Sequence, residues 1–515
     1  MVVVLIAIGC GGPGAMTTGD DAALGDAATD GAQPDGSDSG DAAVLGVPMT
    51  QTYVKASNAR PGSGHFGIVA LSLDGTTLAV GASREPSAAT GINGDQSDTS
   101  ALFTGAVYVF ARGGSTWTQQ AYIKGLNTRP NDHFGESVSL SADGNTLAVA
   151  AIFEDSSAGN SGAVYVFGRT GDTWSEQAFI KAPNADPMDL FGKSLALSAN
   201  GQTMVVGAYF EDSAATTING DLQDDSATEA GAAYVFVRSG STWSQQAYLK
   251  ASNASAGSFF GNAASISADG NVVAVAAYQE DSSATGIGGD QADTSAFASG
   301  AVYVFVRSAN SWAQTAYIKA SNTRASSHFG NALSLSSDGF TLAVAARNES
   351  SAALGIGGDQ ASQAAGNSGA VYVFHQVAGA WAQQTYIKAS NAETQDRFGE
   401  CVALSSSGDR LIVGALYEDS GAVGINGDQQ SEAQVDSGAA YVFERTSATW
   451  SQLAYVKAIN TGADDAFGST GGVAVSGNGG VFAIGADSED GGIPGVGGNA
   501  NDETGAESGA VYLLQ

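Results

Sequence analysis

The sequence is poor in the residues that build disulfide scaffolds, metal centres and phosphate-binding surfaces. Its 515 residues include 2 Cys, 4 His and 20 Lys plus Arg, against 52 Asp plus Glu. Two cysteines exclude a scaffold held by many disulfides, and four scattered histidines do not make a metal site that recurs along the chain. The formal net charge of -32 argues against nucleic acid as a partner, because phosphate binding needs positive charge.

The N-terminal apolar run is too short to cross a bilayer, which takes about 20 residues. It spans nine residues and ends in Ala7-Ile8-Gly9-Cys10, after which the composition changes abruptly. This ending resembles the end of a bacterial lipoprotein signal. The resemblance implies that residues 1–10 are a signal segment and that Cys10 is lipidated. The protein would then lie outside the cytoplasm and contact the membrane only through its lipid.

Residues 11–47 have the composition of a chain that does not fold. They contain seven Asp, no Lys or Arg, and almost no large apolar residues. Such a segment cannot bury enough apolar surface to offset the conformational entropy of folding. We expect a flexible tether that holds residues 48–515 away from the membrane.

What the sequence has in abundance is one repeated block. A Phe-Gly pair opens each copy, and the last four intervals between pairs are each 69 residues. The seven phenylalanines are Phe66, Phe134, Phe191, Phe260, Phe329, Phe398 and Phe467. A period of this length indicates one supersecondary unit per block, so the length of the chain does not imply several domains.

Each block contains signals for four β-strands. In the fifth copy, residues 332–335 and 341–345 form the first two strands, and Asp338-Gly339 between them favours a tight hairpin turn. The third strand, residues 370–374, reads Ala-Val-Tyr-Val-Phe. Because polar and apolar residues do not alternate along this strand, it is expected to be buried on both faces. The fourth strand carries a Trp and ends in Tyr-Ile-Lys.

The seventh block has no fourth strand of its own. A separate copy of that strand, residues 51–55 with the sequence Gln-Thr-Tyr-Val-Lys, precedes the first Phe-Gly pair. In a closed ring this N-terminal strand would complete the last sheet and remove an open edge. The sequence therefore predicts an all-β fold over residues 48–515, a seven-bladed β-propeller of four-stranded antiparallel blades closed by the N-terminal strand.

Other features of the repeat point to structural roles. One Lys recurs at the end of each fourth strand, as Lys55, Lys124, Lys181, Lys250, Lys319, Lys388 and Lys457. Cys401 occupies a first-strand position and is expected to be a buried lone thiol. The blocks are nearly uniform, so we expect no cluster of non-repeated Arg, Glu and Tyr of the kind that a glycosidase pocket needs. The Gly192-Lys193-Ser194 sequence is interpreted as a coincidental match to a phosphate loop.

The Phe-Gly pair, the second-strand sequence Leu-Ala-Val-Gly-Ala and the third-strand sequence Gly-Ala-Val-Tyr-Val-Phe together resemble the FG-GAP repeat, the unit of the integrin α-subunit propeller. The resemblance covers residues 50–515 and implies the same fold. Integrin-type repeats often carry a calcium loop between the first two strands. Here that place holds a hairpin turn with one carboxylate, so calcium binding there is not carried over.

A long loop between the second and third strands recurs in most blocks and contains Gly-Ile-Asn/Gly-Gly-Asp-Gln or a close variant. Its Asp residues are Asp95, Asp221, Asp290, Asp359 and Asp428. Gly residues beside an Asp suit a calcium site, whereas an Asp that accepts backbone N–H bonds would simply cap the loop. Both interpretations stay open, and no cofactor other than Ca²⁺ is indicated.

The fold and the resemblance together favour a monomeric, non-enzymatic binding or adhesion protein at the cell surface. Its ligand would be a surface protein or a polysaccharide, bound on the face that carries the long loops. Two alternatives stay open. One is a hydrolase or lyase acting on extracellular polysaccharide at the central channel, and the other is a passive structural protein of the envelope.

Overall fold

The computed structural model describes residues 49–62 and 65–515. The chain divides into two units, Met1–Leu45 and Gly46–Gln515, and the described residues belong to the second. They form seven four-stranded antiparallel sheets. Within these ranges no helix is long and apolar enough to cross a membrane. The predicted signal segment with Cys10 and the predicted tether lie outside the described residues.

The sheets are the blades of a ring, and we number them 1 to 7 in chain order. Blades 1 to 3 contain β2 (Phe66–Leu71), β3 (Thr77–Ala82), β4 (Ala106–Gly113), β5 (Thr116–Ile123), β6 (Phe134–Leu140), β7 (Thr146–Ala151), β8 (Ala163–Thr170), β9 (Thr173–Ile180), β10 (Ser194–Leu197), β11 (Thr203–Ala208), β12 (Ala232–Ser239) and β13 (Thr242–Leu249). Blades 4 to 6 contain β14 (Phe260–Ile266), β15 (Val272–Ala277), β16 (Ala301–Ser308), β17 (Ser311–Ile318), β18 (Phe329–Leu335), β19 (Thr341–Ala346), β20 (Ala370–Val377), β21 (Ala380–Ile387), β22 (Phe398–Leu404), β23 (Arg410–Ala415), β24 (Ala439–Thr446) and β25 (Thr449–Val456). Blade 7 contains β26 (Val473–Val475), β27 (Phe482–Ala486), β28 (Ala510–Leu514) and, as its outer strand, β1 (Gln51–Val54).

The ring is closed by the N-terminal strand, as predicted. β1 pairs antiparallel with β28, with Tyr53 opposite Tyr512 and Val54 opposite Val511. The first strands of successive blades pack against one another around the central axis. Because strands alternate in direction, the connections between second and third strands all lie on one face of the ring, here called the loop face. The hairpins between first and second strands lie on the opposite face, here called the turn face.

The burial and turn geometry expected from the sequence are confirmed. In β20 the five residues of the Ala-Val-Tyr-Val-Phe run are at most 1% exposed, because each blade is packed between two others. Gly339 in the Asp-Gly hairpin has φ +77°, a value that favours glycine. Cys401 is buried, and its thiol donates to the Gly468 carbonyl at 3.2 Å.

The Phe-Gly pair of each blade lies against the glycine that precedes the third strand of the blade before it. In blade 5 the Phe329 N–H donates to the Ser299 carbonyl of blade 4 at 3.0 Å. A Cβ atom on Gly300, which has φ +84°, would lie 2.0 Å from the Phe329 carbonyl oxygen. The Phe329 ring then packs edge-on against Tyr372 at 5.4 Å. The repeat's two glycine-containing motifs are thus the two halves of one contact between blades.

The repeated Lys is buried in an ion pair with a Glu that follows the second strand of the same blade. In blade 4, Lys319 Nζ lies 2.6 Å from Glu280 Oε2, and the two side chains are 0% and 3% exposed. The other pairs are Lys55–Glu489, Lys124–Glu85, Lys181–Glu154, Lys250–Glu211, Lys388–Glu349 and Lys457–Glu418. Burial lowers the pKa of Lys319, and the Glu280 carboxylate opposes this effect.

Hydrogen bonds to the same Glu join neighbouring blades. Glu280 Oε1 accepts from the Tyr317 hydroxyl at 2.8 Å and from Asn253 Nδ2 at 2.9 Å. Asn253 follows the last strand of blade 3, and its Oδ1 accepts from the Tyr303 hydroxyl of blade 4 at 2.5 Å. A buried charge is tolerated when it is paired and its remaining bonding capacity is satisfied. The structural role predicted for the repeated Lys is therefore confirmed.

Changing Glu280 to Gln should destabilise the propeller strongly. The amide keeps the shape of the side chain but leaves the Lys319 ammonium buried without a counter-charge, a loss of about 3–5 kcal/mol. Urea unfolding measures this free energy. D155N is the matched control, because Asp155 pairs with Arg129 on the surface with both side chains more than half exposed, and such pairs contribute about 1 kcal/mol or less. Equal losses in the two variants would contradict the role given to the buried pair.

Changing Gly300 to Ala should also destabilise the ring, by about 3 kcal/mol or more, because the added methyl combines steric overlap with an unfavourable φ. Gly159 offers the control, since a Cβ there meets no atom within 4 Å and its φ is not positive. The G159A variant is expected to unfold like the wild type. A G300A variant as stable as G159A would mean that the contact between blades has been misassigned.

Candidate functional site

The residues that differ between blades converge at the mouth of the central channel on the loop face. Two positions carry most of the variation: the one that follows Phe-Gly in the first strand and the one that follows the second strand. In chain order the first position holds Ile68, Glu136, Lys193, Asn262, Asn331, Glu400 and Ser469, and the second holds Ser83, Ile152, Tyr209, Tyr278, Arg347, Leu416 and Asp487. Because the first strands are innermost, ring closure brings these side chains together.

Several of these side chains line a cavity of about 510 Å³. Its wall includes Glu136 from blade 2, Lys193 and Tyr209 from blade 3, Tyr278 from blade 4 and Arg347 from blade 5. The expectation that the chain has no cluster of non-repeated Arg, Glu and Tyr is therefore wrong. Each of these non-repeated residues stands alone within its own block, and they come together only when the ring closes.

One side of the mouth is a row of aromatic rings that runs from blade 3 to blade 5. Tyr209 lies 5.7 Å from Phe259, measured between ring centroids, and Phe259 stacks on Tyr278 at 5.6 Å with an interplanar angle of 21°. Tyr278 meets His328 edge-on at 5.2 Å. Phe210 lies behind the row, 4.1 Å from Tyr209. We call Tyr209, Phe259, Tyr278 and His328 the aromatic row, and all four are partly exposed.

The backbone turns sharply at Phe259 and His328, two members of the row. The residue before each Phe-Gly pair has a positive φ, which is +57° at Phe259 and +56° at His328. The left-handed conformation is uncommon outside Gly, Asn and Asp, and here it recurs as Phe, His, Leu, Arg or Ala. The chain reverses at this position before entering the first strand. The side chain at this position differs between blades, because the turn that recurs in every blade is made by the backbone.

Charged and amide groups complete the wall. Lys193 Nζ lies 4.0 Å from Glu136 Oε1 and 5.9 Å from the centre of the Tyr209 ring. Arg347 Nη1 donates to Glu400 Oε1 at 3.0 Å. Arg347 Nε is buried and has no hydrogen-bond partner among the described residues. The chain has eight Lys residues, and Lys193 is the one that does not belong to the seven buried pairs. The sequence analysis considered Lys193 only within a coincidental match to a phosphate loop and did not identify it as a residue of the channel mouth.

Burial changes the acid–base properties of His65 and Asp487, which line the same cavity. His65 Nδ1 and Asp487 Oδ2 are 3.6 Å apart. Burial, assisted by the charge of Arg84, lowers the pKa of His65 to about 4. Burial raises the pKa of Asp487 to about 6. At neutral pH the imidazole is thus uncharged beside an ionised carboxylate. Burial also raises the pKa of Tyr209 to about 12, so its hydroxyl keeps its proton.

An acidic cavity adjoins the mouth between blades 6 and 7. It measures about 630 Å³ and is lined by Asp436, Asp464, Asp490 and Glu507 around Tyr417. Asp490 Oδ1 accepts from the Glu507 N–H at 2.7 Å. Among residues 49–62 and 65–515, no three His, Cys, Asp or Glu side chains are grouped closely enough to hold a metal ion.

The five Asp residues singled out as calcium ligands lie in separate blades and are exposed or nearly so. Each one accepts the backbone N–H of the residue two positions later. The donors to Asp95, Asp221, Asp290, Asp359 and Asp428 are Ser97, Gln223, Ala292, Ala361 and Gln430, at 2.8 to 3.0 Å. This is the geometry of the self-capping alternative. Calcium binding at these residues stays a prediction.

A protein-family profile described as FG-GAP repeat matches residues 117–167, 174–236 and 381–443. Each matched stretch runs from the fourth strand of one blade to the third strand of the next. Together with the seven blades, these matches confirm the predicted resemblance: the chain is a seven-bladed β-propeller that contains FG-GAP repeats. No curated protein sequence matches it.

Two solved structures are similar in fold. One is a protein from Bacteroides uniformis proposed to be a 6-phosphogluconolactonase, with 13% identity and a TM-score of 0.44 over 76% of this chain and 85% of that chain. The other is a periplasmic gluconolactonase from Pseudomonas aeruginosa, with 15% identity and a TM-score of 0.44 over 81% of this chain and 98% of that chain. Similarity this low carries no argument about activity.

The D487N substitution should stabilise the protein in a pH-dependent way. Because the pKa of Asp487 is higher in the fold than in the unfolded chain, the folded state binds the proton more tightly, and this carboxyl costs stability as pH rises from about 4 to about 6. The variant cannot ionise, so its gain over the wild type should grow across that window to about 2 kcal/mol. Urea unfolding at pH 4, 5, 6 and 7 measures it.

Gln363 offers the control for this experiment, since it is exposed and does not titrate. The difference between Q363A and the wild type should stay constant over the same pH range. A D487N difference that is equally constant would show that Asp487 ionises in the fold as it does in water.

Proposed function

We propose that this protein is a non-enzymatic binding module of the cell surface, whose channel mouth on the loop face takes a polysaccharide. The observation that carries the proposal is the presence of Tyr209 and Tyr278, two members of the aromatic row, in a cavity with charged and amide groups. Sugar rings present apolar faces and hydroxyl edges. A ligand of this kind needs aromatic surfaces beside hydrogen-bonding groups, and Tyr offers both in one side chain.

The size of the cavity favours a polysaccharide over a protein. Small-ligand sites are concavities of about 300–1,000 Å³, and the mouth lies within this range. A stable protein interface instead buries about 800 Å² on each partner over a broad patch. The channel mouth is recessed inside the ring, so a linear chain of sugars enters it more readily than a folded surface does.

The charged groups at the mouth favour a ligand with hydroxyl substituents, because the cations there are opposed by the carboxylates of Glu136, Glu400 and Asp487. Lys193 and Arg347 place two of the chain's few cations on the cavity wall, in a protein whose net charge is -32. Arg347 is fixed by Glu400, which is itself 3% exposed and accepts from the Thr470 hydroxyl at 2.6 Å. A guanidinium held in this way presents its donors to a ligand at little entropic cost.

The location outside the cytoplasm is part of the proposal and rests on the sequence of residues 1–10. Lipid on Cys10 would fix the chain to a membrane, and the Asp-rich segment would let the loop face reach a polysaccharide. Radiolabelled palmitate should enter the wild-type protein and not a C10S variant. Equal incorporation in both would remove the anchor from the proposal without touching the ligand site.

A hydrolase or lyase acting at the same place is the second candidate, and Asp487 is the observation that favours it. A carboxyl with a pKa of about 6 in a cavity has the property required of a general acid near neutral pH. The two candidates differ in what happens to the polysaccharide. Loss of viscosity or release of new sugar ends with the wild type, abolished in D487N, would favour the enzyme.

Truncating either tyrosine of the aromatic row to alanine should weaken polysaccharide binding. We expect Y209A and Y278A each to weaken affinity for a bound polysaccharide about tenfold or more, the range of a central aromatic contact. Calorimetric titration against a panel of acidic and neutral bacterial polysaccharides measures the affinity. F340A is the matched control, because Phe340 is 47% exposed on the turn face. Equal losses in all three variants, or none, would contradict the assignment of the site.

A further inference from the structure

The outer edge of a blade would expose unpaired backbone groups, and in six blades the chain covers it. In blade 1 the long loop returns along β5, where the Asn93 N–H donates to the Tyr122 carbonyl at 2.7 Å and the Lys124 N–H donates to the Gly91 carbonyl at 2.9 Å. Ile92 and Ile123 form an antiparallel bridge. We call this three-residue stretch the covering segment. Its counterparts are residues 286–288, 355–357, 424–426 and 495–497, and Asn219 makes one such bond in blade 3.

Blade 2 is the exception, because its loop between the second and third strands is short. Residues 155–161 take the place of the 19 residues from 86 to 104 in blade 1. Within the part of the chain that the structure describes, no backbone group beyond β8 bonds to the backbone of Phe179 or Lys181, the equivalents of Tyr122 and Lys124. The loop-face end of β9 therefore has backbone groups with which an added strand can pair. We call this end the open place.

The side chains at this place are exposed as well. Phe179 is 39% exposed, whereas the equivalent Tyr of every other blade is at most 2% exposed. The Lys181 side chain is 13% exposed, against 0% for each of its counterparts. Leu126 and Met188, which are 66% and 45% exposed, belong to the segments that flank blade 2. Exposed apolar groups beside an open strand edge mark an interaction surface.

We propose that the edge of β9 binds an extended peptide segment of a partner protein by strand addition. The six other blades define what fits there: a β-branched apolar residue between two small or polar residues whose backbone pairs with the edge. Strand addition supplies affinity through main-chain hydrogen bonds and specificity through alternate side chains.

The charge around the edge defines the partner further. The Glu176 carboxylate lies on β9 and accepts from the Leu126 N–H at 3.0 Å. Asp155 in the short loop is paired with Arg129, so Glu176 is the carboxylate that bears on the choice of partner. The segment that binds is therefore neutral or basic, in contrast to five of the six covering segments of this chain, which have an Asp two positions after them.

The probe is a fluorescent peptide Lys-Thr-Gly-Ile-Asn-Gly-Lys, titrated with the full-length protein and followed by anisotropy. Saturable binding is expected, together with at least a tenfold loss when Pro replaces the Asn, since Pro lacks the N–H that would bond to Phe179. A peptide with Asp for Ile should also bind at least tenfold more weakly. Absence of saturable binding up to millimolar peptide would overturn the proposal.

A loop graft tests the location. Residues 86–104 replace residues 155–161, so that blade 2 acquires a covering segment, and peptide binding should be lost while the thermal midpoint stays the same or rises. F179D is a second variant, which keeps the short loop and puts a charge on the edge; it should lose binding too. Binding that persists in both variants would overturn the proposal. Concentration-dependent dimers that the graft abolishes would also overturn it, by assigning the edge to a second copy of the chain.

Discussion

The buried Lys–Glu pair is the interaction on which the ring depends. Every blade contains one, and its Glu also accepts a hydrogen bond from the Tyr of the outer strand in five blades and from an Asn of the preceding blade in six. One carboxylate therefore fixes the loop, the outer strand and the neighbouring blade together. Such a pair is costly to desolvate and tolerates few alternatives, so it specifies how blades meet more than it adds to stability.

This constraint explains where the protein varies. The positions that hold the blades together recur without much change, namely the Phe-Gly pair, the glycine before the third strand and the Lys–Glu pair. The residue after Phe-Gly and the residue after the second strand face the channel and touch little of this framework. They are free to differ, and closure of the ring collects them around one cavity. A rigid and repetitive scaffold thus supports an irregular site.

Most of the fold could be predicted from the sequence because its signals are local and repeated seven times. The Asp-Gly turns, the apolar third strand and the separate copy of the fourth strand each had one economical interpretation. The Glu partner of the repeated Lys was not predicted, since it lies 39 residues earlier in blade 4 and in another part of the sheet. The channel mouth was missed because Lys193, Tyr209 and Arg347 each look incidental within one block. Aligning the blocks and comparing them position by position would have shown that the variation falls at the residue after Phe-Gly and at the residue after the second strand.

The most direct test of the central claim is hydrogen–deuterium exchange on the full-length protein with and without a bound polysaccharide. The account predicts slower exchange in the backbone around residues 193, 209–210, 259–262 and 278, on the loop face beside the channel. Exchange in the hairpins of the turn face should be unchanged. Protection confined to the turn face, or spread along the outer strands with none at the channel, would contradict the assignment of the ligand site.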